Sequence, residues 1–328
     1  MAPLVLDEAQ LRSCLGIDDR SLDCVEAAFT WLAEGRVSMP PVLHFDIGEF
    51  GDVDVKGAYV RGEDAFAIKI GTGFFGNSAL GLPNCGGIVV VLDARNGLFR
   101  GVFFDNGYLT DLRTGLAGAV AARHLALQNV ETVGVVGTGA QARYQIECLA
   151  LVREFDRLLV AGRDPGRVRI YCDEMAERLG VTATPAGSVE ALVRGSQIVV
   201  TTTQSTKALI EAGWLHPGLH ITAMGSDLPG KQEIDPQALA RADLVVCDSL
   251  AQCLIGGELQ HAGAAGVEIA ATELGEITSG RSRGRTSDTQ ITICDLTGTG
   301  VQDTAIALEA YRQAVAQGLA ATINEPIH

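Results

Sequence analysis

No apolar run in the chain approaches the roughly 20 residues that span a bilayer. No Cys-x-x-Cys pair is present either: the eight cysteines are scattered at positions 14, 24, 85, 148, 172, 247, 253 and 294. Such scatter argues against a zinc or disulfide framework and suits small core residues in a reducing compartment. Basic residues are scarce, 25 Lys and Arg against 40 Asp and Glu, for a net charge of −15. Phosphates would be repelled, which excludes general nucleic-acid or anionic-membrane binding but leaves room for a local cationic pocket. The opening Met1-Ala2-Pro3-Leu4 lacks a basic region followed by an apolar one, so no signal peptide is expected and the expected location is cytoplasmic. Internal repeats and low-complexity tracts are missing. His124, His216, His220, His261 and His328 show no metal-ligand spacing and read as structural or surface residues, with no metal expected.

What the chain does have is 328 residues, 47% hydrophobic and 20% charged, enough for roughly two domains with a large core. Its organising stretch is Val133-Gly134-Val135-Val136-Gly137-Thr138-Gly139-Ala140-Gln141-Ala142. A β-branched run enters a glycine turn, and an apolar-periodic helix follows. Gly137 allows the tight turn, Gly139 has no side chain to keep a pyrophosphate from the backbone, and Ala142 takes the third small position. The helix N-terminus would then face the phosphates. Strands expected at Thr132–Val136, Arg157–Ala161, Gln197–Thr202, His220–Met224, Asp243–Asp248 and Ile291–Asp295 alternate with helices, which predicts a doubly wound parallel sheet.

The region before it has a different period. Helices are expected from Leu6 to about Gly35, capped by Asp7 and by Asp18 or Asp19. Short strands at Val42–Phe45, Asp52–Val60, Phe66–Ile70, Gly87–Asp93 and Leu98–Phe104 form a meander, with Asn96-Gly97 as its hairpin signal. Leu109–Ala126 reads as a close-packing helix of small residues. Residues 275–284 and Leu296–Gly300 read as mobile. A final helix from Asp303 to about Gly318 is expected to fold back on the first region. The domains are therefore drawn as residues 1–125 with 303–328, and 126–302.

Several residues invite chemistry. Arg163 directly after the second strand suits a 2′-phosphate, and Asp164 suits ribose hydroxyls or a helix cap, so NAD and NADP both stay open. Lys69 lies in an apolar strand, where an unpaired ammonium is costly; it is either at a sheet edge with its head in water, or a cation for a substrate carboxylate or proton transfer. Arg113 sits in the first turn of its helix, where the dipole disfavours a cation. It needs an anion, either Asp111 or another acid, or a substrate carboxylate. Asp227 follows the fourth strand at its carboxyl end and is either a turn aspartate or a group that stabilises an iminium. Lys231 and Glu233 read as a loop-and-cap arrangement.

Together these stretches, with Gly284-Arg285-Thr286-Ser287-Asp288 and Asp295–Asp303, resemble the ornithine cyclodeaminase/mu-crystallin family over nearly the whole chain. Phe66–Gly81 and Asp105–Thr114 look most like its branch of iminosuccinate reductases and ectoine-utilisation proteins. The resemblance implies a homodimer, a Rossmann-type domain, and an α+β substrate-binding and dimerisation domain built from both chain ends. It implies imine chemistry at an amino-acid α-carbon with NAD or NADP. Lys69 and Arg113 would hold the carboxylate, and Asp227 would be the catalytic acid, with Lys69 the other candidate for moving the proton. Thr114, Gly137, Thr138, Gly139, Ala140, Gln141, Arg163, Asp164, Thr202, Met224, Ser226, Lys231, Thr297 and Gly298 would line the cofactor. The chain departs from the family after its Pro-rich turn, Pro40-Pro41-Val42-Leu43-His44, where members often carry an arginine; Lys56 is the next cation. Asn84 stands where cyclodeaminases tend to have threonine. Both departures argue against ornithine, and His44 or Lys56 would meet any second carboxylate. The expected activity is imine reduction; the alternatives are a cyclodeaminase acting on an ornithine- or diaminobutyrate-like acid, and a non-catalytic NADPH-binding protein.

Overall fold

The computed structural model describes residues 3–319 and 321–322, so His328 lies outside the described residues. The chain forms two compact units, Met1–Arg113 with Thr299–His328, and Thr114–Gly298. No helix among the described residues is long and apolar enough to cross a membrane.

The first unit is an α+β layer. Its sheet runs in the order Ala321–Thr322, Leu4–Asp7, Phe99–Phe104, Cys85–Asp93, Ala65–Gly73, Asp52–Val60, Val37–Ser38, with Leu43–Asp46 also paired to Asp52–Val60. Residues 52–104 form the antiparallel meander expected. Leu4–Asp7 adds a parallel strand beside Phe99–Phe104, so Leu6, expected to open the helical region, lies in a strand instead. The helix begins at Glu8 with Asp7 as its cap, as expected, and Asp7 and Gln10 form a reciprocal capping box.

The period-2 pattern decides which side chains meet which layer. Ala58, Val60, Ala65, Ala67 and Lys69 are buried, while Tyr59, Ile68 and Ile70 are exposed. The buried face is covered by helix Gly300–Ala316, which shares an apolar cluster through Val301 and Ala305 with Ala28, Ala58 and Val60. Gly300 permits the approach: a Cβ there would lie 2.7 Å from the Gly57 carbonyl oxygen. Thr304 then pins the helix, donating its hydroxyl to the Ala58 carbonyl at 2.8 Å.

The second unit is an eight-stranded, wholly parallel sheet in the order Thr182–Pro185, Arg157–Ala161, Thr132–Val136, Ile198–Thr201, His220–Ala223, Thr292–Asp295, Leu244–Cys247, Ala271–Glu273. This is the doubly wound, Rossmann-type architecture. The chain runs outward from Thr132–Val136 to Thr182–Pro185 and then crosses back to Ile198–Thr201. The switch point thus lies at the carboxyl end of Thr132–Val136, where such sheets bind ligands.

Two loops expected to be mobile are built into this unit. Within 275–284, helix Leu274–Thr278 forms, and Gly284 fits against the His124 carbonyl, where a Cβ would stand 2.4 Å from the oxygen. Arg285 then donates Nε to the Leu125 carbonyl at 2.6 Å. In the other loop, the Asp248 carboxylate accepts the backbone N–H groups of Thr297 and Gly298 at 2.9 and 2.7 Å. Small and polar composition here marks close approach and buried hydrogen bonding rather than disorder. The small-residue reading of the long helix was the better guide. In helix Tyr108–Leu125, a Cβ on Gly118 would lie 1.9 Å from Gln145 Oε1.

Candidate active site

The glycine loop has the features of a phosphate cradle. Gly137 has φ +125°, and a Cβ there would lie 2.4 Å from Thr202 Oγ1. Gly139 is the N-cap of helix Ala140–Leu149, makes no side-chain cap hydrogen bond, and has nothing within 4 Å of a built Cβ. An open space in front of a helix N-terminus without a capping side chain is what a dinucleotide pyrophosphate requires. The loop is braced from behind, because Arg143 donates Nη1 to the Thr138 and Gly139 carbonyls at 2.8 and 3.0 Å.

The other candidates along this edge are placed as follows. Ala140 is exposed and Gln141 half-buried at the helix start. Thr202 leaves the neighbouring strand with its N–H on the Val136 carbonyl. Arg163 and Asp164 are exposed after the second strand. Asp164 caps the next helix, accepting from Gly166 and Arg167 N–H at 2.7 and 3.1 Å. Thr114 is buried and its carbonyl accepts from Gln145. Met224 is buried at the end of His220–Ala223. The hydroxyls of Ser226 and Thr297 are taken up within the protein, Ser226 donating to the Lys231 carbonyl and Thr297 to Asp248 Oδ1. Asp227 is half exposed and pairs with Lys231, Nζ to Oδ1 2.6 Å.

Behind the loop that carries Asp227 lies a group of buried acids that sequence reasoning missed. Glu233, expected as a loop residue, is fully buried in strand Gln232–Ile234. Its carboxylate accepts from Thr201 Oγ1 at 2.6 Å, Thr203 N–H at 2.6 Å and Gly225 N–H at 2.8 Å. It thereby ties two strand ends to the start of the loop. Glu258 in turn accepts the N–H groups of Glu233 and Ile234. Asp295 accepts Leu259 N–H, and burial pushes its carboxyl up to about 7.

That shift has a consequence for stability. A folded-state pKa above the unfolded value means the folded chain holds a proton that the unfolded chain releases, so stability falls as pH rises from about 4 through about 7. Burial drives His220 the other way, down to about 3, so its contribution is lost as pH falls below about 6.5. The two contributions oppose one another between about pH 4 and pH 6.5. Asp295→Asn should therefore remove the part of the pH dependence of thermal stability that Asp295 contributes between about pH 4 and pH 7. Melting curves across that range read it, and a slope identical to wild type removes Asp295 from the explanation.

In the first unit the structure assembles a second constellation. Lys69 and Arg113 are both buried, and both reach the same carboxylate, Asp303. Lys69 Nζ donates to Oδ1 at 3.1 Å and lies 3.1 Å from Oδ2; Arg113 Nε donates to Oδ1 at 2.9 Å. Lys69 is therefore not at a sheet edge with its head in water, and Arg113 finds its anion in Asp303 rather than Asp111. Burial is the largest influence on Lys69 and lowers it to about 8, with Arg113 and Lys56 adding to the fall and Asp303 opposing it. Burial would raise Asp303, but the cations Arg113, Lys69 and Lys56 outweigh it and hold the carboxylate below its ordinary range. Lys56 stands directly across from Lys69 in the neighbouring strand and approaches Asp54 at 3.9 Å. His44 Nδ1 lies 2.7 Å from the same Asp54. Asn84 is half-buried, and its carbonyl accepts Phe74 N–H.

Nothing in its local sequence singles out Asp303, which reads as the start of an amphipathic helix. The signal lies in the wider stretch: residues 300–308 are small or apolar apart from Gln302, Asp303 and Thr304. An acid in such a helix needs a buried cation.

Residues 2–318 match the profile of the ornithine cyclodeaminase/mu-crystallin family. The chain belongs to that family. A Rhizobium meliloti family member carrying only a provisional dehydrogenase name is 47% identical over 98% of both chains. The alanine dehydrogenase of Archaeoglobus fulgidus is 34% identical over 99% of both. Among solved family structures, the Thermococcus litoralis Δ1-pyrroline-2-carboxylate reductase, in complex with NADH and L-proline, superposes with TM-score 0.92 at 25% identity, covering 98% of this chain and all of that one. The Paracoccus denitrificans iminosuccinate reductase in complex with NAD+ gives 0.91 at 29% identity, covering 99% and 100%. The family's oxidoreductase members thus include both an alanine dehydrogenase and imine reductases.

Proposed function

We propose that this protein is an NAD(P)-dependent oxidoreductase that interconverts a small α-amino acid and its α-imino acid. The observation that carries the reading is a buried ammonium and a buried guanidinium held side by side on one carboxylate, in a chain that also has an open glycine cradle at the switch point of a parallel sheet. Arg113 engages Asp303 through Nε alone, and neither Nη makes a hydrogen bond among the described residues. Those two N–H edges suit a substrate carboxylate. Fixing the carboxylate restricts where the α-carbon can lie, and positioning of this kind supplies several kcal/mol of a barrier.

The cofactor-holding set is Gly137, Thr138, Gly139, Ala140 and Gln141, with Thr114, Arg163, Asp164, Thr202, Met224, Ser226, Lys231, Thr297 and Gly298 around it. A reduced nicotinamide, when bound, supplies the hydride. Lys69, lowered by burial to about 8, delivers the proton to the imine nitrogen directly or through water. Asp227 stabilises the positive charge on that nitrogen. The α-carbon gains hydride, the nitrogen gains a proton, and the amine results.

Asp227→Ala should lower turnover by about a hundredfold or more while nicotinamide affinity stays near wild type. Steady-state kinetics beside a fluorescence titration separates the two, and unchanged turnover removes Asp227 from the mechanism. The reaction class is tested by NADH or NADPH oxidation with glyoxylate, pyruvate, oxaloacetate and cyclic imines, each with and without ammonia or methylamine. Oxidation that needs both keto acid and amine, or that proceeds on a cyclic imine alone, supports the reading. Ammonia release from a diamino acid without net change in nicotinamide absorbance would replace it with a cyclodeaminase.

The second part of the proposal is a homodimer formed through the outer face of the first unit's sheet. Leu43, Phe45, Tyr59, Ile68, Ile70 and Phe104 share that face by register and are 54, 47, 38, 37, 37 and 52% exposed. A continuous apolar patch of this kind is unusual on a monomer surface. The archaeal alanine dehydrogenase, 33% identical with TM-score 0.91, is itself a dimer.

A further inference from the structure

We propose that Asp303 is a positioning residue for this reaction: one carboxylate that sets both the aim and the charge of the Lys69–Arg113 pair. The inference rests on the amino/imino acid reading above and adds a residue to it. Three separate elements converge on Asp303 Oδ1. Lys69 comes from strand Ala65–Gly73, Arg113 from the first turns of helix Tyr108–Leu125, and Asp303 itself from the first turn of helix Gly300–Ala316. The helix is fixed in depth by the Gly300–Gly57 approach and by Thr304 on the Ala58 carbonyl, so the carboxylate cannot slide along the strand.

The charge count gives the arrangement its purpose. Within the trio, two buried cations face one buried anion, an excess of one positive charge that a substrate carboxylate would balance. Two bare cations at this depth would be costly without a substrate, and one of them would shed its charge; lysine is the one able to do so. Asp303 therefore keeps the proton on Lys69 in the empty protein. By accepting from Nε of Arg113 it also fixes which edge of the guanidinium faces away.

The titratable groups around Lys69 are Asp303, Arg113 across the helix contact, Lys56 on the neighbouring strand and Asp105 before helix Tyr108–Leu125. Asp105 is itself pushed up by burial, with Lys69 opposing that rise. Lys56 and His44 both lean on Asp54. Asp303 is thus the anion whose removal acts most directly on Lys69.

The test uses the full chain carrying Asp303→Asn and, separately, Asp303→Glu. Pyruvate binding without amine is measured by calorimetry across pH, because pyruvate keeps a fixed charge over the range. In the wild type, affinity should fall as pH rises through about 8, where Lys69 loses its proton. In Asp303→Asn that fall should move to lower pH by about one unit or more, since the anion that opposed deprotonation is gone. The alkaline limb of kcat/KM should move the same way, with kcat down by about a hundredfold. Asp303→Glu keeps the charge, so its limb should stay within about half a unit of wild type while kcat drops about tenfold from misplacement.

A folded Asp303→Asn protein with the wild-type limb and wild-type kcat overturns the proposal. So does one whose only change is lower thermal stability. Should Asp303→Asn fail to fold, an Asp303→Glu protein with wild-type kcat overturns it alone. Should no substrate turn over in any form, the pyruvate arm decides: a displaced limb supports Asp303 while the reaction class fails.

Discussion

Replacing Lys69 with methionine should lower kcat in the reductive direction by about a hundred- to ten-thousand-fold, the usual range for removing a general acid. Nicotinamide affinity should stay within about a factor of three of wild type, because the glycine cradle belongs to a different set of residues. Methionine keeps the unbranched stem that packs along the strand, so the loss is of charge and proton rather than of volume. Asp303 would then be neutralised by Arg113 alone, still at 2.9 Å through Nε. The variant should therefore fold, with stability reduced. Stopped-flow or steady-state nicotinamide oxidation measures kcat, and fluorescence titration measures cofactor binding. A kcat within about threefold of wild type would remove Lys69 from the chemistry.

The second large effect belongs to the loop. Gly139→Val should weaken NADH and NADPH binding by about a hundredfold or more while the melting temperature moves by only a few degrees. A Cβ at Gly139 meets nothing within 4 Å, so the side chain would occupy only the space in front of the helix N-terminus. Gly137→Ala is the contrasting control. Its φ of +125° and the 2.4 Å approach to Thr202 Oγ1 mean that both stability and binding should fall. If Gly139→Val bound cofactor normally, the cradle assignment would be wrong even with the fold intact.

How legible these sites were depended on how local their signals are. The glycine loop is a contiguous run whose spacing carries its meaning, and the structure puts it at the switch point of the sheet. The alternating strands of the parallel sheet were readable for the same reason. Lys69 and Arg113 could be singled out because each breaks a local rule, a charge in an apolar strand and a cation at a helix start. What joins them could not be read. Asp303 lies 234 residues from Lys69 and 190 from Arg113, and only the docking of the last helix brings it there.

The same limit applied to the buried acids of the second unit. Glu233 looked like a loop residue because its partners Thr201, Thr203 and Gly225 come from two other strand ends. Residues 275–284 and 296–300 read as mobile because small and polar residues serve loose loops and tightly hydrogen-bonded ones alike. In the structure Arg285 and Asp248 hold them. Asp164 was readable as a cap or as a ribose partner, and the structure uses it as a cap.

The most direct test of the account follows a labelled hydride. The protein is incubated with nicotinamide cofactor deuterated at the transferring position, pyruvate or glyoxylate, and ammonia or methylamine, and the products are read by mass spectrometry. Reduction of an α-imino acid gives an amino acid carrying a single deuterium on its α-carbon. Deuterium in a hydroxy acid instead, or an amino acid formed without label, would contradict it.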